Sequence, residues 1–382
     1  MTKIDFIYFD AGGGHRAAAT ALKAVIEQQQ RPWDIQMVNL QELLDPLDVF
    51  RKITGVRLQD IYNKMLAKGW TLGAGPGLRL MHTIIRLYHE PGVALLKRHW
   101  GESRPDMVVS LVPNFNRILH QSLKATNPRA PFVTILTDLA DHPPRFWIEH
   151  RIDSSFEQFL VCGTPRAVEQ AKALGHGEDS VFRVSGMVLR PKFYEAITID
   201  RRAERRRLGL DPDRPTGLVL FGGHGSETMV DIARRLSGKP SGTQLILLCG
   251  RNHKLVERLR ELPAKAPRLV EGFTSEIPYY MYLADFFIGK PGPGSISEAV
   301  AMKLPVIVER NARTLPQERY NAEWVREHRA GIVLENFRSI APAVHRMIEN
   351  LESYRAAVAR IENRAVFEIP GILEEVLRKK GR

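Results

Sequence analysis

The sequence predicts an α/β protein in which one architecture, a parallel sheet flanked by helices, is used twice around a cleft. Three observations lead there. Short apolar runs recur along the chain, each closed by a turn signal and many followed by a helical pattern, the signature of βαβ units. The opening of the first half, Ile4 to Phe9 followed by Gly12-Gly13-Gly14-His15, is repeated near the middle as Leu218 to Phe221 followed by Gly222-Gly223-His224-Gly225-Ser226. The length, 382 residues, suits two domains that each bury a core. Two Rossmann-like domains would gather their functional groups at the carboxyl ends of the strands.

The elements follow in order. Strand Ile4–Phe9 leads through the glycines to a helix over Ala17–Gln30, and Ile35–Leu40 is the second strand. Met107–Val112 ends at Pro113-Asn114, and Phe132–Thr137 ends at Asp138. Phe159–Cys162 runs into Gly163-Thr164-Pro165, where proline suits a first helical position. Val181–Val184 ends at Ser185-Gly186. A charged helix over Arg201–Leu210 and the turn-rich Asp211-Pro212-Asp213-Arg214-Pro215 then open a second series. Its strands are Leu218–Phe221, Gln244–Cys249, Arg268–Val270, Asp285–Ile288, Val306–Glu309 and Ile332–Leu334. The boundary falls near 188–196, giving domains 1–192 and 193–353, with a helical end over 354–382.

The net charge is +12, and it is uneven. Residues 51–100 hold nine basic side chains against two acidic ones, interleaved with an apolar, aromatic face such as Leu58-Ile61-Tyr62-Met65-Leu66. That combination suits either an interfacial helix on an anionic membrane or a core-facing helix with a solvated basic side. The clusters Arg201-Arg202 with Arg205-Arg206-Arg207, and Arg378 to Arg382, read as a solvated helix face and a frayed end. No zinc-finger spacing or RNP-like strand points to nucleic acid. No run approaches the roughly 20 apolar residues of a membrane span. The opening Met1–Asp10 does not resemble a signal peptide. Cys162 and Cys249 close apolar runs and read as buried strand thiols, which points to the cytosol.

The glycine clusters carry the chemistry. A helix N-terminus after a glycine turn offers free N–H groups and a positive dipole end to a phosphate. Neither G-x-G-x-x-G nor a P-loop is present. A third cluster, Gly289-Lys290-Pro291-Gly292-Pro293-Gly294-Ser295-Ile296-Ser297-Glu298, follows a strand. Gly294 and Ser295 fall where a helix begins, and Glu298 lies one turn inside, suited to a ribose diol.

This segment resembles the nucleotide-sugar signature of GT-B glycosyltransferases of family 28, above all the monogalactosyldiacylglycerol synthases and processive diacylglycerol glucosyltransferases. The likeness extends over nearly the whole chain. It includes Asp10-Ala11-Gly12-Gly13-Gly14-His15, Thr137-Asp138-Leu139 with His142-Pro143 and Phe146-Trp147, Cys249-Gly250-Arg251-Asn252, Glu271-Gly272-Phe273-Thr274, and Pro316-Gln317-Glu318 with Asn321. The chain departs from it at Gly222–Ser226, where plant-like enzymes carry an acidic residue, and at Leu315-Pro316, where Pro-Gly is usual.

The resemblance implies the site. The backbone around Phe273 and Thr274 would pair with uracil. Gly222, Gly223, His224, Gly225, Ser226, Gly294 and Ser295 would hold the diphosphate, with Arg251 and Asn252 reaching phosphate or sugar. Glu298 would take the ribose, and Gln317, Glu318 and Asn321 the sugar hydroxyls. Gly13, Gly14, His142 and Trp147 would touch the acceptor.

Inverting transfer needs a base for the acceptor hydroxyl, and His15 and Asp138 both stand as candidates. No metal or other cofactor is required, since helix N-termini and backbone donors can stabilise the leaving group. Asp211-Pro212-Asp213 matches an Asp-x-Asp string but lies at the wrong end of its strand. The expected partners are a UDP-sugar, a diacylglycerol-type lipid and an anionic membrane through residues 51–100, with the protein peripheral on the inner face of the cell membrane. The alternatives are another lipid-linked or soluble acceptor, a UDP-sugar epimerase on the same fold, and a non-enzymatic protein that binds anionic membrane or nucleic acid.

Overall fold

A computed structural model describes residues 1–10, 13–47, 88–151, 156–237 and 242–381. Most of the basic amphipathic segment 51–100, and Gly12 of the first glycine cluster, lie outside the described residues. The part of that segment within them belongs to the helix His89–Ser103, which buries Leu96 and Trp100 and exposes Lys97 and Arg98.

Two parallel sheets of six strands form the molecule. The first contains β1 (Thr2–Tyr8), β2 (Trp33–Asn39), β3 (Met107–Ser110), β4 (Phe132–Ile135), β5 (Phe159–Cys162) and β6 (Val181–Arg183), in the order β2-β1-β3-β4-β5-β6. The second contains β7 (Thr216–Leu220), β8 (Gln244–Leu248), β9 (Arg268–Glu271), β10 (Phe286–Gly289), β11 (Val306–Glu309) and β12 (Gly331–Leu334), in the order β12-β11-β10-β7-β8-β9. Both sheets reverse their winding beside the first strand, at β1/β3 and at β7/β10. Such a switch point opens a crevice at the strands' carboxyl ends, where ligands bind.

Helices cover both faces of each sheet, so β3, β4, β7, β8 and β10 are buried throughout. In the first half, Ile4, Phe6 and Val109 pack with Leu22 and Val25 of the helix Gly14–Gln28 and with Ile369 and Leu373 of the helix Ala365–Lys379. The opposite face packs Ile7 and Val108 with Leu96, Trp100 and Leu119. In the second half, Val219, Leu247 and Ile288 face Val230, Leu255 and Val344, while Leu220, Phe287 and Val308 face Met281, Ile296 and Val325.

The segment after β6 packs Met187, Leu189 and Phe193 into the second core. The return crossing lies later than Tyr354. Tyr354 and Val358, on the helix Leu351–Ala359, still pack on the second half, and only from Ala365 does the chain join the first. The two crossings touch: the Arg364 backbone N–H donates to Ser185 Oγ at 2.6 Å, and Ser185 Oγ donates to Glu368 Oε1 at 2.6 Å. A Cβ at Gly186 would come within 2.6 Å of the Asn363 side chain, so the two segments run close together here.

The charged helix Arg201–Arg207 is only partly a solvated face: Arg202, Arg206 and Arg207 are exposed, but Arg201 and Arg205 turn inward. Arg205 is 4% exposed, and Asp285 accepts from the guanidiniums of Arg201 (2.8 Å), Arg205 (2.9 Å) and Arg355 (2.7 Å). Other donors of Arg201 and Arg205 cap the Tyr282 and Leu283 carbonyls at the end of the helix Ile277–Leu283, and Arg205 Nη1 donates to the Pro212 and Arg214 carbonyls. The C-terminal basic run is likewise engaged: Lys380 pairs with Glu157, and Lys379 lies over the Phe182 ring. Both cysteines are free and buried, and burial pushes the Cys249 thiol up to about 11.

Candidate functional site

On the second half, β7 ends in the glycine loop 222–226. Gly222 and Gly225 adopt positive φ (74° and 60°), a region glycine enters without strain. The loop is pinned to its neighbour: the Arg251 N–H donates to the Gly223 carbonyl at 2.9 Å, and a Cβ on Gly250 would sit 2.2 Å from that carbonyl. Gly223 and His224 stay exposed, while Ser226 bonds Thr228 at the start of the helix Thr228–Ser237. A cavity of about 390 Å³ beside it is lined by His224, Arg251, Asn252, His253 and Lys254. Phe273 is 62% exposed, and the Arg251 guanidinium stacks 4.8 Å from its ring centre, leaving an open aromatic platform. Thr274 Oγ1 accepts from the Glu276 N–H. Asn252 differs from expectation: its side chain accepts from the Leu255 N–H at 3.1 Å and caps the helix His253–Glu261.

At the switch point, β10 leads to the helix Pro293–Ala301. A side chain on Gly294 would meet nothing within 4 Å, so its backbone faces open space. Glu298 lies in a half-buried position where burial raises its carboxyl to about 7, with Arg190 of the interdomain segment pulling the other way. Glu318, 8% exposed, accepts from Lys290 Nζ at 3.2 Å. Gln317 Oε1 is buried without a partner, as an acceptor waiting for a ligand hydroxyl would be. Asn321 is fully buried and donates to the Pro291 carbonyl at 2.9 Å. Its Nδ2 therefore holds the loop that carries Lys290, while its Oδ1, like Gln317 Oε1, is buried without a partner.

On the first half, Gly13 (φ 79°) caps the helix Gly14–Gln28, and both glycines are exposed. His15 lies in the first turn of that helix. Its Nδ1 is 3.1 Å from Thr137 Oγ1, and its ring stands 5.8 Å from that of Trp147. The imidazole is partly open to solvent but surrounded by protein, and burial lowers it to about 4 despite a hydrogen bond to the Leu111 backbone.

Asp138 follows β4 and is 7% exposed. Burial raises its carboxyl to about 7. The Trp147 hydrogen bond opposes this, Glu318 and Asp141 add to it, and Lys290 opposes it. Two of those charges belong to the other half, so Asp138 faces the Lys290–Glu318 pair across the cleft. Trp147 is 1% exposed and donates its indole N–H to Asp138 Oδ2 at 2.8 Å. With its ring enclosed and its donor engaged, it has no surface for an acceptor, a correction to the sequence expectation. His142 is half-buried and lowered by burial, and it faces Arg319, Glu323 and Arg310 of the second half.

The sequence reasoning did not single out Lys290, although a lysine in a glycine-rich turn at a strand end is a visible signal. Asp211 and Asp213 pair with Arg214 and Arg202, at 3.0 and 2.5 Å. Among the described residues no three His, Cys, Asp or Glu side chains gather as a metal ion would need, and no helix is long and apolar enough to cross a membrane.

The arrangement is that of known proteins. Residues 218–369 match the glycosyltransferase family 28 C-terminal domain. A probable monogalactosyldiacylglycerol synthase 2 of Oryza sativa subsp. japonica, a chloroplastic protein, is 30% identical over 358 residues, covering 88% of this chain and 71% of the relative. Monogalactosyldiacylglycerol synthase 1 of Arabidopsis thaliana is 28% identical over 418 residues, covering 99% and 72%. Among solved structures, Acinetobacter baumannii MurG superposes with a TM-score of 0.63 at 12% identity, over 98% of this chain and 100% of that one. A Neisseria meningitidis UDP-GlcNAc 2-epimerase bound to UDP-GlcNAc superposes with a TM-score of 0.59 at 16% identity, over 99% and 100%. Those two likenesses speak for the fold, two Rossmann-like halves across a cleft. The chain belongs to glycosyltransferase family 28 and is a GT-B glycosyltransferase.

Proposed function

We propose that this protein moves a hexose from a UDP-sugar to a diacylglycerol-type membrane lipid with inversion, making a glycolipid. The observation that carries the reading is the pairing across the cleft. A phosphate-suited helix N-terminus with Glu298 one turn inside stands on one half, and from the other a buried carboxyl, Asp138, faces the Lys290–Glu318 pair. The relatives named as monogalactosyldiacylglycerol synthases support the lipid acceptor.

In this reading Asp138 takes the acceptor hydroxyl's proton as that oxygen attacks the anomeric carbon. The bond from that carbon to the diphosphate breaks on the opposite face, and UDP leaves with the electron pair. The N–H groups of Gly294, Ser295 and the 222–226 loop, with Lys290, hold the charge that develops there. Asp138 is the better-matched base because proton transfer is most effective when the base's pKa lies near the working pH, and His15 is held well below it. His15 then orients the acceptor hydroxyl. Segment 51–100 docks the first half, residues 1–192, on an anionic membrane surface at the inner face of the cell membrane, while residues 193–353 bind the donor.

Purified protein mixed with diacylglycerol in anionic vesicles and a panel of UDP-sugars should form glycolipid and release UDP. Epimerised free UDP-sugar in the absence of lipid, with no glycolipid, would overturn the proposal. A second measurement tests the ribose assignment. Glu298→Ala should weaken UDP binding by at least about tenfold, since hydrogen bonds to a charged group contribute roughly 1.5–3 kcal/mol each. Because the Glu298 carboxyl is raised to about 7, wild-type UDP affinity should fall as pH drops below that value, as protonation removes the acceptor. Calorimetry showing equal affinity in the variant would remove Glu298 from the site.

A further inference from the structure

The placement of Asp138 depends on a side chain that touches no substrate. Trp147 Nε1 donates to Asp138 Oδ2 at 2.8 Å, and Trp147 is itself held from several directions. Its backbone N–H donates to Asp141 Oδ1 at 2.6 Å. Its carbonyl accepts from Asn116 Nδ2 at 2.8 Å and from Gln158 Nε2 at 3.3 Å. Each of these partners is tied to a different element. Ser110 Oγ at the end of β3 donates to Asn116 Oδ1 at 2.6 Å, and Gln158 Nε2 also donates to Thr134 Oγ1 on β4 at 2.7 Å. Asp141 exchanges backbone hydrogen bonds with the Gln170 amide on the helix Pro165–Ala173, both at 2.9 Å, and its Oδ2 accepts from the Arg145 N–H at 2.8 Å. Buried polar groups this fully satisfied make a rigid, high-stakes network.

We propose that Trp147 is a positioning residue, clamped by Asp141, Asn116 and Gln158, whose indole N–H fixes the orientation of the Asp138 carboxylate and sets how readily it ionises. The proposal rests on the reading of Asp138 as the base. Titratable groups act on Asp138 from both halves. Glu318 from the second half and Asp141 from its own loop disfavour its charge, together with burial, while Lys290 from the second half favours it. His15, bonded to the adjacent Thr137, is neutral near pH 7. Trp147 donates a hydrogen bond to the Asp138 carboxylate itself, so its N–H opposes the burial and the neighbouring carboxylates directly.

The test is Trp147→Phe, which keeps an aromatic ring and removes the donor. With donor sugar saturating, the acid limb of kcat against pH should move upward by about one unit, the scale of one hydrogen bond to a charged group. Turnover should fall about tenfold at pH values below the wild-type limb and recover toward wild type at high pH. UDP affinity serves as the check that the variant is folded. Should the phenylalanine variant fail to fold, Asn116→Ala, which releases the Trp147 carbonyl, should move the limb in the same direction by less. A loss of rate that is equal at every pH, with the limb unmoved, would overturn the positioning role while leaving Asp138 as base. Full turnover in Asp138→Asn would instead overturn the base assignment itself, so the two failures are separable.

Discussion

At neutral pH, Asp138→Asn is expected to lower kcat by about 10²–10⁴, the usual contribution of a general base, and to leave UDP affinity essentially unchanged. The split follows from location. Asp138 stands on the first half and the nucleotide-suited loops on the second, so its amide analogue removes proton acceptance without removing a donor contact. The pH dependence has a definite sign. A base works only when deprotonated, and burial raises this carboxyl to about 7, so wild-type kcat should fall as pH drops below about 7. Measuring kcat at saturating donor separates this limb from that of Glu298, which acts on donor binding. His15 predicts a different curve. Burial lowers it to about 4, so an imidazole base would hold the rate flat down to that pH. A limb near 4, with His15→Ala inactive and Asp138→Asn active, would transfer the role to the histidine.

The second large effect concerns stability. Asp285→Ala should destabilise the second half by about 3–5 kcal/mol, read as a fall in the urea midpoint, because it strands buried guanidiniums without their counter-charge. Arg205 is 4% exposed and cannot turn to solvent, and the same carboxylate accepts the Thr216 N–H at the start of β7. Burial alone would raise the Asp285 carboxyl, but Arg201 and Arg205 overcome it and hold it below the usual value. A group depressed in the folded state contributes stability above its unfolded pKa, and that contribution is lost as pH falls through the lower folded value. Wild type should therefore lose stability in acid, and Asp285→Ala should lose less of it over the same range. A variant with an unchanged midpoint would show that the cluster is replaceable by its carbonyl contacts.

Much of the fold was legible because strand identity is a local property. All twelve expected strands are present, with ends displaced by at most two residues. Phe132–Thr137 contracts to Phe132–Ile135 because the following residues leave the sheet for the cleft, where Thr137 meets His15 and Asp138 meets Trp147. The crossing of the last helices was misplaced because nothing in Tyr354 or Val358 says which of two apolar cores receives them.

By itself, the sequence determined the two-sheet architecture, the glycine turns at the cleft and the candidates His15, Asp138 and Glu298, since apolar periodicity and glycine placement act over a few neighbouring residues. Tertiary structure alone decided their ionisation and their partners. Arg205 meets Asp285 from 80 positions away, and Lys290 meets Glu318 from 28. Trp147 became a hydrogen-bond donor to Asp138, Asn252 a helix cap and Asn321 a loop anchor for the same reason. Burial and charge contacts are sums over everything packed around a group, and that environment exists only once the two halves have closed on their cores.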